Sequence, residues 1–340
     1  MKPLLSLALC ATILPLAAKA QERPHLILQI TVDQLRVDLP LRYFDQSGEG
    51  GFLYTMENGF LCGNAHHAHV KTETVVGRAT LATGAHPAAH GMVGNLWFDR
   101  TVGRAVYNIE DPDYPRLSGG VGIDAKTEID PTQKAAGTDG RSPSAILTVT
   151  FSDALSIATQ GRAKAFGVSV KGRGAVTMPG HTGHAFWLSK ATGEIVTSTY
   201  NYNDYPDWLM AWNEKDFTQR YRGGVWEFLH PIESYVFGER DEQDWEPDFA
   251  GFGRTFPHPL SSIDPQGVDA DPYFTKFLTR SPAGDKITAD LANTLLQQGA
   301  CCLKSWGSTY TNATKPIGKR YDLDPAPIIE MKPEGEKANV

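Results

Sequence analysis

The chain has 340 residues, with 32 Lys and Arg against 39 Asp and Glu, and a formal net charge of −7. This acidic balance argues against nucleic-acid binding, which needs clustered positive charge. The length suffices for one large domain with a sizeable core, or for a domain that carries an insertion.

The first 20 residues have the pattern of an export signal. An apolar run over 4–18 leads into an A-x-A cleavage pattern at 18–20. The run is too short to span a bilayer. A lipid anchor on Cys10 is the alternative, and Leu9 disfavours it because such processing wants a small residue there. We therefore expect a periplasmic or secreted protein of about 320 residues with no integral membrane association.

Three cysteines follow the predicted signal: Cys62, Cys301 and Cys302. An odd number in an oxidising compartment indicates that a disulfide framework does not organise the fold. The adjacent pair could bridge to Cys62 or stay free, and the sequence leaves both possibilities open.

The first third of the chain alternates predicted strands and helices. Residues 26–32 are nearly all apolar and β-branched, which is typical of a strand buried on both faces. A short helix over 52–57 and a second strand over 59–65 follow. A further helix over 75–83 ends at Gly84, because glycine is the usual residue just after a helix.

A longer helix is predicted over 143–159, with Ser142 as its N-cap and a proline at its first position. A buried strand over 165–170 comes next. The repeated order of strand, helix and strand predicts an α/β fold with a central, mostly parallel sheet flanked by helices.

The composition divides the mature chain into four parts. Residues 21–198 form the predicted α/β core. Residues 199–260, rich in Trp, Tyr, Asp and Pro with weak periodicity, are predicted to be an insertion or cap rather than a second sheet. Residues 261–298 return to the core with a helix over 285–296, and residues 299–340 form a divergent tail with a frayed end.

Two oxygen-bearing side chains fall where an anion or a metal ion could bind. Thr74 lies at the predicted start of a helix, where unpaired N–H groups and the helix dipole favour an anion. A hydroxyl there can attack phosphorus when a metal ion deprotonates it, although an ordinary Thr N-cap is the alternative. Asp33 follows the first predicted strand, at the sheet edge where α/β folds bind ligands, and could bind zinc or cap a helix.

Three further side chains are candidates for phosphate contacts. Asn95 could donate its amide to a phosphoryl oxygen, although Asn after Gly is also a common turn residue. Lys171 and Arg173 alternate on a segment that we predict to be extended, which places both cations on one side. They could clamp a phosphate monoester dianion, and solvated surface cations are the alternative.

Seven of the ten histidines occur in two groups, which are His66, His67, His69, His86 and His90, and then His181 and His184. Within the first run, only His67 and His69 share a face of an extended segment. A structural or supporting role fits these histidines better than direct metal binding.

Four motifs occur in a fixed order: ITVDQLR at 30–36, the segment around Thr74, GAHP at 84–87 followed by HGMVGNLWFD at 90–99, and VSVKGR at 168–173. Together they resemble the alkaline phosphatase superfamily. The closest resemblance is to the phosphate-irrepressible alkaline phosphatases and their type I phosphodiesterase and nucleotide pyrophosphatase relatives. It extends from about residue 24 to about residue 296.

This resemblance implies an alkaline-phosphatase-like fold and a zinc-dependent hydrolase of small-molecule phosphate monoesters, with two zinc ions in each site. By the resemblance, Thr74 is the nucleophile that forms a covalent phospho-threonine, and Asn95 contacts the phosphoryl oxygens. Lys171 and Arg173 favour monoesters over diesters. Asp33 and Thr74 bind one of the two zinc ions.

The chain departs from the family pattern in its C-terminal part. The family takes its further metal ligands there from an Asp-x-x-x-His motif, an Asp-His dipeptide and a late His. None of these is present, since the only histidines after His184 are His230 and His258. We therefore expect a truncated chain with impaired activity. A non-catalytic phosphate-binding remnant and a phosphodiesterase or nucleotide pyrophosphatase are the alternatives.

Overall fold

The computed structural model of the protein describes residues 26–48, 50–120, 122–246, 248, 252–261 and 271–298, and the backbone of residues 338–339. The predicted signal over 1–20 and nearly all of the predicted tail over 299–340 lie outside the described residues. The three cysteines Cys10, Cys301 and Cys302 lie outside them as well. Cys62 is described, and it is a free, exposed thiol.

The described helices, in chain order, are α1 Asp38–Arg42, α2 Gly51–Asn58, α3 Thr74–Thr83, α4 Pro87–His90, α5 Pro131–Lys134, α6 Phe151–Ala158, α7 Gly172–Thr177, α8 Asp207–Asn213, α9 Phe274–Leu278 and α10 Pro282–Gln297. Short 3-10 turns occur at Phe44–Gln46, Gln219–Tyr221, Ile232–Ser234 and Gly238–Arg240. In this part of the chain, no helix is both long enough and apolar enough to cross a membrane.

The described strands are β1 Leu96–Asp99, β2 Arg104–Tyr107, β3 Phe166–Ser169, β4 His184–Leu188, β5 Ile195–Val196, β6 Val225–Glu227, β7 His258–Pro259 and β8 Ala338–Asn339. Strands β1 and β2 form an antiparallel hairpin. The second sheet has the order β3-β4-β5, in which β3 and β4 run parallel and β5 is antiparallel to β4. The third has the order β7-β6-β8.

Strand β4 lies between two layers of helices because alternate side chains point to opposite faces of a strand. Phe186 and Leu188 pack in one apolar cluster with residues of α8, α9 and α10. Ala185 and Trp187 pack in a second cluster with residues of α7. Helix α3 in turn contacts α7. The order of layers therefore brings the N-terminal ends of α3 and α7 near the end of β3.

Three helix predictions are confirmed with small shifts in their bounds. The helix predicted over 52–57 is α2, and that predicted over 75–83 is α3, which ends at Gly84 in the left-handed conformation with φ of 66°. The helix predicted over 285–296 is α10. Each carries its own local signals, since α10 begins with a proline in its first turn and buries residues four positions apart.

The strands predicted over 26–32 and 59–65 are wrong, because the structure has no strand in either segment. Apolar side chains that were expected in a core are exposed, including Ile30 at 74% and Phe60 at 88%. A strand needs a neighbour to pair its backbone N–H and C=O groups. The described part of the chain supplies no such neighbour to either segment.

The helix predicted over 143–159 begins eight residues later than expected, as α6. Thr150 rather than Ser142 caps it, in a capping box with Asp153. The segment before it is irregular because its backbone bonds elsewhere, with the Leu147 N–H donating to the carbonyl of His90 at 3.0 Å. The strand predicted over 165–170 is confirmed as β3.

Residues 199–260 contain more regular structure than expected. They hold α8, β6 and β7, and the last two pair in a small antiparallel ladder. The expectation that this segment contains no second sheet is therefore wrong. Leu209, Trp212 and Tyr221 from this segment also join the cluster that packs on β4. The division of the chain into core, insertion and returning core remains a prediction.

Asp153 is a buried hydrogen-bond hub that joins α6 to the loop after α7. It accepts bonds from the N–H and hydroxyl of Thr150, both at 2.9 Å, and from the N–H of Thr182 at 2.8 Å. His181 Nδ1 lies 2.9 Å from it. Burial opposes its charge, but these bonds outweigh burial and lower the pKa of Asp153 from 3.8 to about 2.

Asp153→Asn is expected to lower the free energy of unfolding by about 2–3 kcal/mol near neutral pH, because a donor replaces one buried acceptor. The stability that the depressed pKa contributes is present above the unfolded value of 3.8 and is lost as pH falls toward 2. The variant should therefore lose less stability over that window. Urea denaturation across pH tests this, with the exposed Asp113→Asn as control. Equal acid sensitivity of variant and parent would contradict the role of Asp153.

Candidate functional site at the start of helix α3

The Thr74 hydroxyl and the Asp33 carboxylate meet in the folded chain. Thr74 is the first residue of α3, and Glu73 occupies the N-cap position without a side-chain cap bond. The Thr74 hydroxyl donates to Asp33 Oδ2 at 3.1 Å. Asp33 lies in an exposed turn rather than at the end of a strand. The structure thus places the two predicted residues together, although the strand expected to position Asp33 is absent.

Asn95 is held at the same helix end from two sides. Its Oδ1 accepts from the Val75 N–H at 3.2 Å. Its own backbone N–H donates to the Glu73 carboxylate. Because Oδ1 is used within the protein, the Nδ2 group is the part of the amide that can donate to a ligand. Asn95 therefore serves the fold as well as the site.

Glu73 was missed at the level of sequence. Burial raises its pKa, but the bond from the Asn95 N–H and the Lys71 ammonium, 3.1 Å away, outweigh burial and hold the pKa below its usual value. An acid at a helix N-terminus is a familiar signal. What the sequence did not show is that this acid faces Asn95.

Lys171 and Arg173 do not alternate along an extended segment, and that prediction is wrong. Lys171 is the N-cap residue of α7, and Arg173 lies within the first turn of that helix. Helical geometry places residues two apart on different sides. The two side chains nevertheless lie within electrostatic range of each other, because burial and then Arg173 lower the pKa of the Lys171 ammonium while Asp130 and Asp33 oppose this.

Arg173 is buried and forms an ion pair with Asp130, which the sequence did not predict. Its Nη1 lies 2.8 Å from Asp130 Oδ2 and 3.3 Å from the Thr132 hydroxyl. The Arg173 side chain is 6% exposed and that of Asp130 11%. Burial alone raises the pKa of Asp130, but the Arg173 guanidinium and the Thr132 hydroxyl outweigh burial and hold the pKa well below its usual range. Arg173 is thus a fixed cation rather than a solvated one.

Arg78, a largely buried residue of α3, connects the two halves of the site. Burial lowers its pKa, the Asp33 carboxylate raises it, and Arg173 lowers it further. A side-chain carbon at Gly174 would lie 3.3 Å from its guanidinium carbon. Arg78 therefore lies between α3 and α7, and it adds a third cation beside Lys171 and Arg173.

The histidines have separate roles from this cluster. The rings of His67 and His69 lie 5.0 Å apart, in a segment that bends rather than running as a strand. His90 is fully buried, with Nε2 at 3.1 Å from the Thr80 hydroxyl and Nδ1 accepting from the Met92 N–H at 3.1 Å. These bonds give His90 a structural role, and the role of the other histidines stays a prediction.

The donor set for a metal ion falls short within the described ranges. Asp33 and Thr74 offer two protein ligands, whereas a zinc site needs at least three. No three His, Cys, Asp or Glu side chains in those ranges are grouped so as to hold a metal ion. The described residues alone therefore do not fit a zinc centre.

Comparison with known proteins places the chain in a family. The type I phosphodiesterase / nucleotide pyrophosphatase family matches residues 27–229. A protein named calcium-transporting ATPase from Myroides odoratus is 30% identical over 284 residues, which are 83% of this chain and 48% of that protein. Alkaline phosphatase PafA from Elizabethkingia meningoseptica is 31% identical over 279 residues, 81% of this chain and 47% of PafA. The chain thus spans about half the length of these curated relatives.

Solved structures of alkaline phosphatase PafA share the fold. Wild-type PafA at 1.7 Å resolution aligns with a TM-score of 0.68 and 29% identity, covering 82% of this chain and 50% of PafA. A PafA variant aligns with a TM-score of 0.64 and 28% identity, covering 79% and 49%. In that variant one threonine is replaced by serine, and one asparagine, one lysine and one arginine by alanine. The likeness confirms the predicted α/β fold, and the chain belongs to the type I phosphodiesterase / nucleotide pyrophosphatase family within the alkaline phosphatase superfamily.

Proposed function

We propose that this chain carries the phosphate half of a phosphoester hydrolase site, with Thr74 as the nucleophile and phosphate monoesters as substrates. The observation that carries the proposal is the Thr74 hydroxyl at the N-terminus of α3, bonded to Asp33 at 3.1 Å. Unpaired N–H groups and the dipole at a helix N-terminus favour the negative charge of a phosphoryl group. The hydroxyl is thereby placed where an anionic ester would bind.

The proposed chemistry has two steps in which atoms and charge balance. The Thr74 oxygen forms a bond to phosphorus as the ester oxygen leaves with a proton, which gives a phospho-threonine and an alcohol. Water then attacks the phospho-threonine and releases inorganic phosphate, returning the hydroxyl. The Asp33 carboxylate accepts a hydrogen bond from Thr74 and so orients the attacking oxygen.

The cations and the amide supply the contacts to the phosphoryl oxygens. The Asn95 Nδ2 donates to one oxygen, because Oδ1 is already bonded to the Val75 N–H. Arg173 is held by Asp130 through Nη1, and its buried Nε has no hydrogen-bond partner among the described residues. With Lys171 beside it, Arg173 balances the second negative charge of a monoester, which a diester lacks.

The PafA variant supports this choice of residues. Its replaced threonine and asparagine have the same separation in sequence as Thr74 and Asn95, and its lysine and arginine the same separation as Lys171 and Arg173. Two pairs of matching residue types, each with the same internal separation on a shared fold, are a more specific likeness than overall identity.

The proposal includes zinc as the metal, with Asp33 and Thr74 as ligands of one of two ions. When bound, zinc would lower the pKa of the Thr74 hydroxyl and stabilise charge on the leaving oxygen. Because the described donors are too few, no step above is assigned to the metal. Export through the predicted signal peptide to the periplasm or outside the cell is part of the same proposal.

A second candidate function is a phosphate-binding module without catalysis. The observation that favours it is the contrast between four candidate phosphate contacts and only two candidate metal ligands at this site within the described ranges. Such a module would bind inorganic phosphate without zinc and turn over no ester. A phosphodiesterase or nucleotide pyrophosphatase is the third candidate. It is less favoured because the buried cations balance the second negative charge of a monoester, which a diester lacks.

Calorimetry with inorganic phosphate, with and without zinc, tests the proposal. We expect saturable binding that Lys171→Ala weakens about tenfold, since a charged hydrogen bond is worth roughly 1.5 kcal/mol. The exposed Lys164→Ala is the matched control and should bind as the parent does. Absence of phosphate binding both with and without zinc would overturn the proposed hydrolase and the phosphate-binding module.

A substrate comparison separates the candidates. With zinc supplied, turnover of p-nitrophenyl phosphate well above that of bis-p-nitrophenyl phosphate supports the monoesterase. Faster turnover of the diester supports the phosphodiesterase and overturns the role given to Lys171 and Arg173. Phosphate binding without turnover of either ester supports the module.

A further inference from the structure

A small cavity lies beside the proposed phosphate site and is not part of it. Its volume is about 20 Å³, and its lining includes residues of β2, β4, α5 and the connection from β3 to α7. Val170 and Gly172, which flank Lys171, are among the lining residues, whereas Asp33, Thr74 and Asn95 are not. The cavity therefore adjoins the phosphate site while facing a different set of side chains.

The lining carries an excess of positive charge. Four cationic side chains contribute to it: Arg116, Arg141, Lys190 and Lys276. Glu128 pairs with Lys190 at 2.7 Å. Asp124 is exposed and already accepts from the Thr127 hydroxyl at 2.8 Å. Arg116 lies 3.7 Å from Asp139, so it also has a carboxylate nearby. Arg141 takes part in none of these ion pairs.

Arg141 is the most deeply buried of these cations, at 2% exposure. Its Nη1 donates to the carbonyls of Thr138 at 2.6 Å and Gly140 at 2.7 Å. Its Nη2 is buried and has no hydrogen-bond partner among the described residues. No carboxylate in those residues forms an ion pair with it. Arginine stays protonated in proteins, so an unpaired buried guanidinium is costly unless a counter-charge is supplied.

Tyr107 provides a second donor at the same place. The Arg141 guanidinium lies over its ring, 5.1 Å from the centroid. The Tyr107 hydroxyl is buried, and its O–H, like Arg141 Nη2, has no hydrogen-bond acceptor within the described chain. Burial raises the pKa of this hydroxyl, while Arg173 and Arg141 partly oppose the rise, so the group remains a neutral donor. Arg141 Nη2 and the Tyr107 hydroxyl are thus two buried donors that line the same positive cavity and lack a hydrogen-bond acceptor.

We propose that this cavity binds a small inorganic anion of halide size between Arg141 and Tyr107. The volume is enough for one species of about the size of water or slightly larger, and too small for a sugar phosphate or a nucleotide. The bound anion neutralises Arg141, and it accepts hydrogen bonds from Nη2 and from the tyrosine hydroxyl. Its effect is to stabilise the loop that carries Thr138 and Arg141 against the β1–β2 hairpin.

Crystals of the full chain grown in bromide test the site directly. We expect an anomalous peak in contact with Arg141 Nη2 and the Tyr107 hydroxyl. In solution, the melting temperature should rise saturably with chloride when gluconate, which is too large for the cavity, keeps the ionic strength constant. A water molecule without anomalous signal at saturating bromide, or equal melting in chloride and gluconate, would overturn the proposal.

Variants assign the effect to the cavity. Tyr107→Phe should weaken the apparent affinity for chloride about tenfold, because one hydrogen bond to an anion is lost. Arg141→Gln should abolish the chloride dependence. Arg220→Gln, which removes another arginine stacked on a ring, 4.1 Å from the Phe217 centroid, should leave it intact. If Arg141→Gln fails to fold, unchanged chloride affinity in Tyr107→Phe still counts against the site.

Discussion

Replacing Arg173 with methionine is expected to lower the free energy of unfolding by about 3–5 kcal/mol, because it leaves the Asp130 carboxylate buried without its counter-charge. The pair is close, at 2.8 Å, and both side chains are largely shielded from water. Thr132 supplies hydrogen bonds to Asp130 but no positive charge. Chemical denaturation of parent and variant at pH 7 measures the loss.

Two further variants separate the ion pair from simple loss of volume. Asp130→Asn removes the opposite partner and leaves Arg173 buried, so it should cost a similar amount. The double variant Arg173→Met with Asp130→Leu removes both charges and should be markedly more stable than the sum of the single changes predicts. Additive losses would show that Arg173 and Asp130 are not coupled.

A more exposed ion pair in the same chain gives the matched control. Arg220 lies 3.2 Å from Asp290, and the two side chains are 34% and 22% exposed. Water screens such a pair, so Arg220→Met should cost only about 1 kcal/mol through the pair itself. A loss as large as that of Arg173→Met would mean that burial does not set the difference.

The sequence was sufficient for the parts of the fold that local signals control. Helix α3 ends at Gly84 because that residue takes a positive φ. Helix α10 shows its start through a proline and its buried face through Ile287, Leu291 and Leu295. Caps, prolines and helical periodicity act within a few residues, so a single sequence contains them.

The strands over 26–32 and 59–65 failed because a strand depends on a partner elsewhere in the chain. Apolar, β-branched composition indicates that a segment could pair, but it does not show that a neighbour is available. The strand predicted over 165–170 was correct, because β4 lies parallel to β3 and α7 contacts it. The correct and the wrong strand predictions therefore differ in whether a distant part of the chain pairs with the segment.

The candidate site shows the same division. The types of residue that suit phosphate chemistry were visible in the sequence, and the meeting of Thr74 with Asp33 follows the prediction. The ion pair of Arg173 with Asp130 joins residues 43 apart in sequence, and no short motif records it. Lys171 and Arg173 were assigned to an extended segment because the strand before them was extended, and the early start of α7 was missed.

Thr74→Val is the second variant with a large expected effect. Valine keeps the shape of threonine and its branched Cβ but removes the hydroxyl, so the proposed nucleophile is lost while the start of α3 is preserved. Because the chain has too few metal ligands, we expect only weak turnover of p-nitrophenyl phosphate with zinc supplied, and Thr74→Val should remove it, in line with losses of at least about 10³-fold for other enzyme nucleophiles. Thr74→Ser keeps a hydroxyl and should retain activity to within about a hundredfold, since misplacing a reacting group by about 1 Å costs up to about that factor.

Stability and covalent labelling distinguish this effect from a structural one. The hydrogen bond from Thr74 to the exposed Asp33 contributes at most about 1 kcal/mol, so Thr74→Val should unfold at nearly the parent denaturant concentration. Acid quenching after incubation with labelled phosphate should trap a phosphoprotein in the parent and in Thr74→Ser, and none in Thr74→Val. A labelled Thr74→Val protein would place the covalent bond on another residue. Since Thr74 is the only hydroxyl shown to meet Asp33 in the described chain, such a result would remove the basis for a nucleophile at the start of α3.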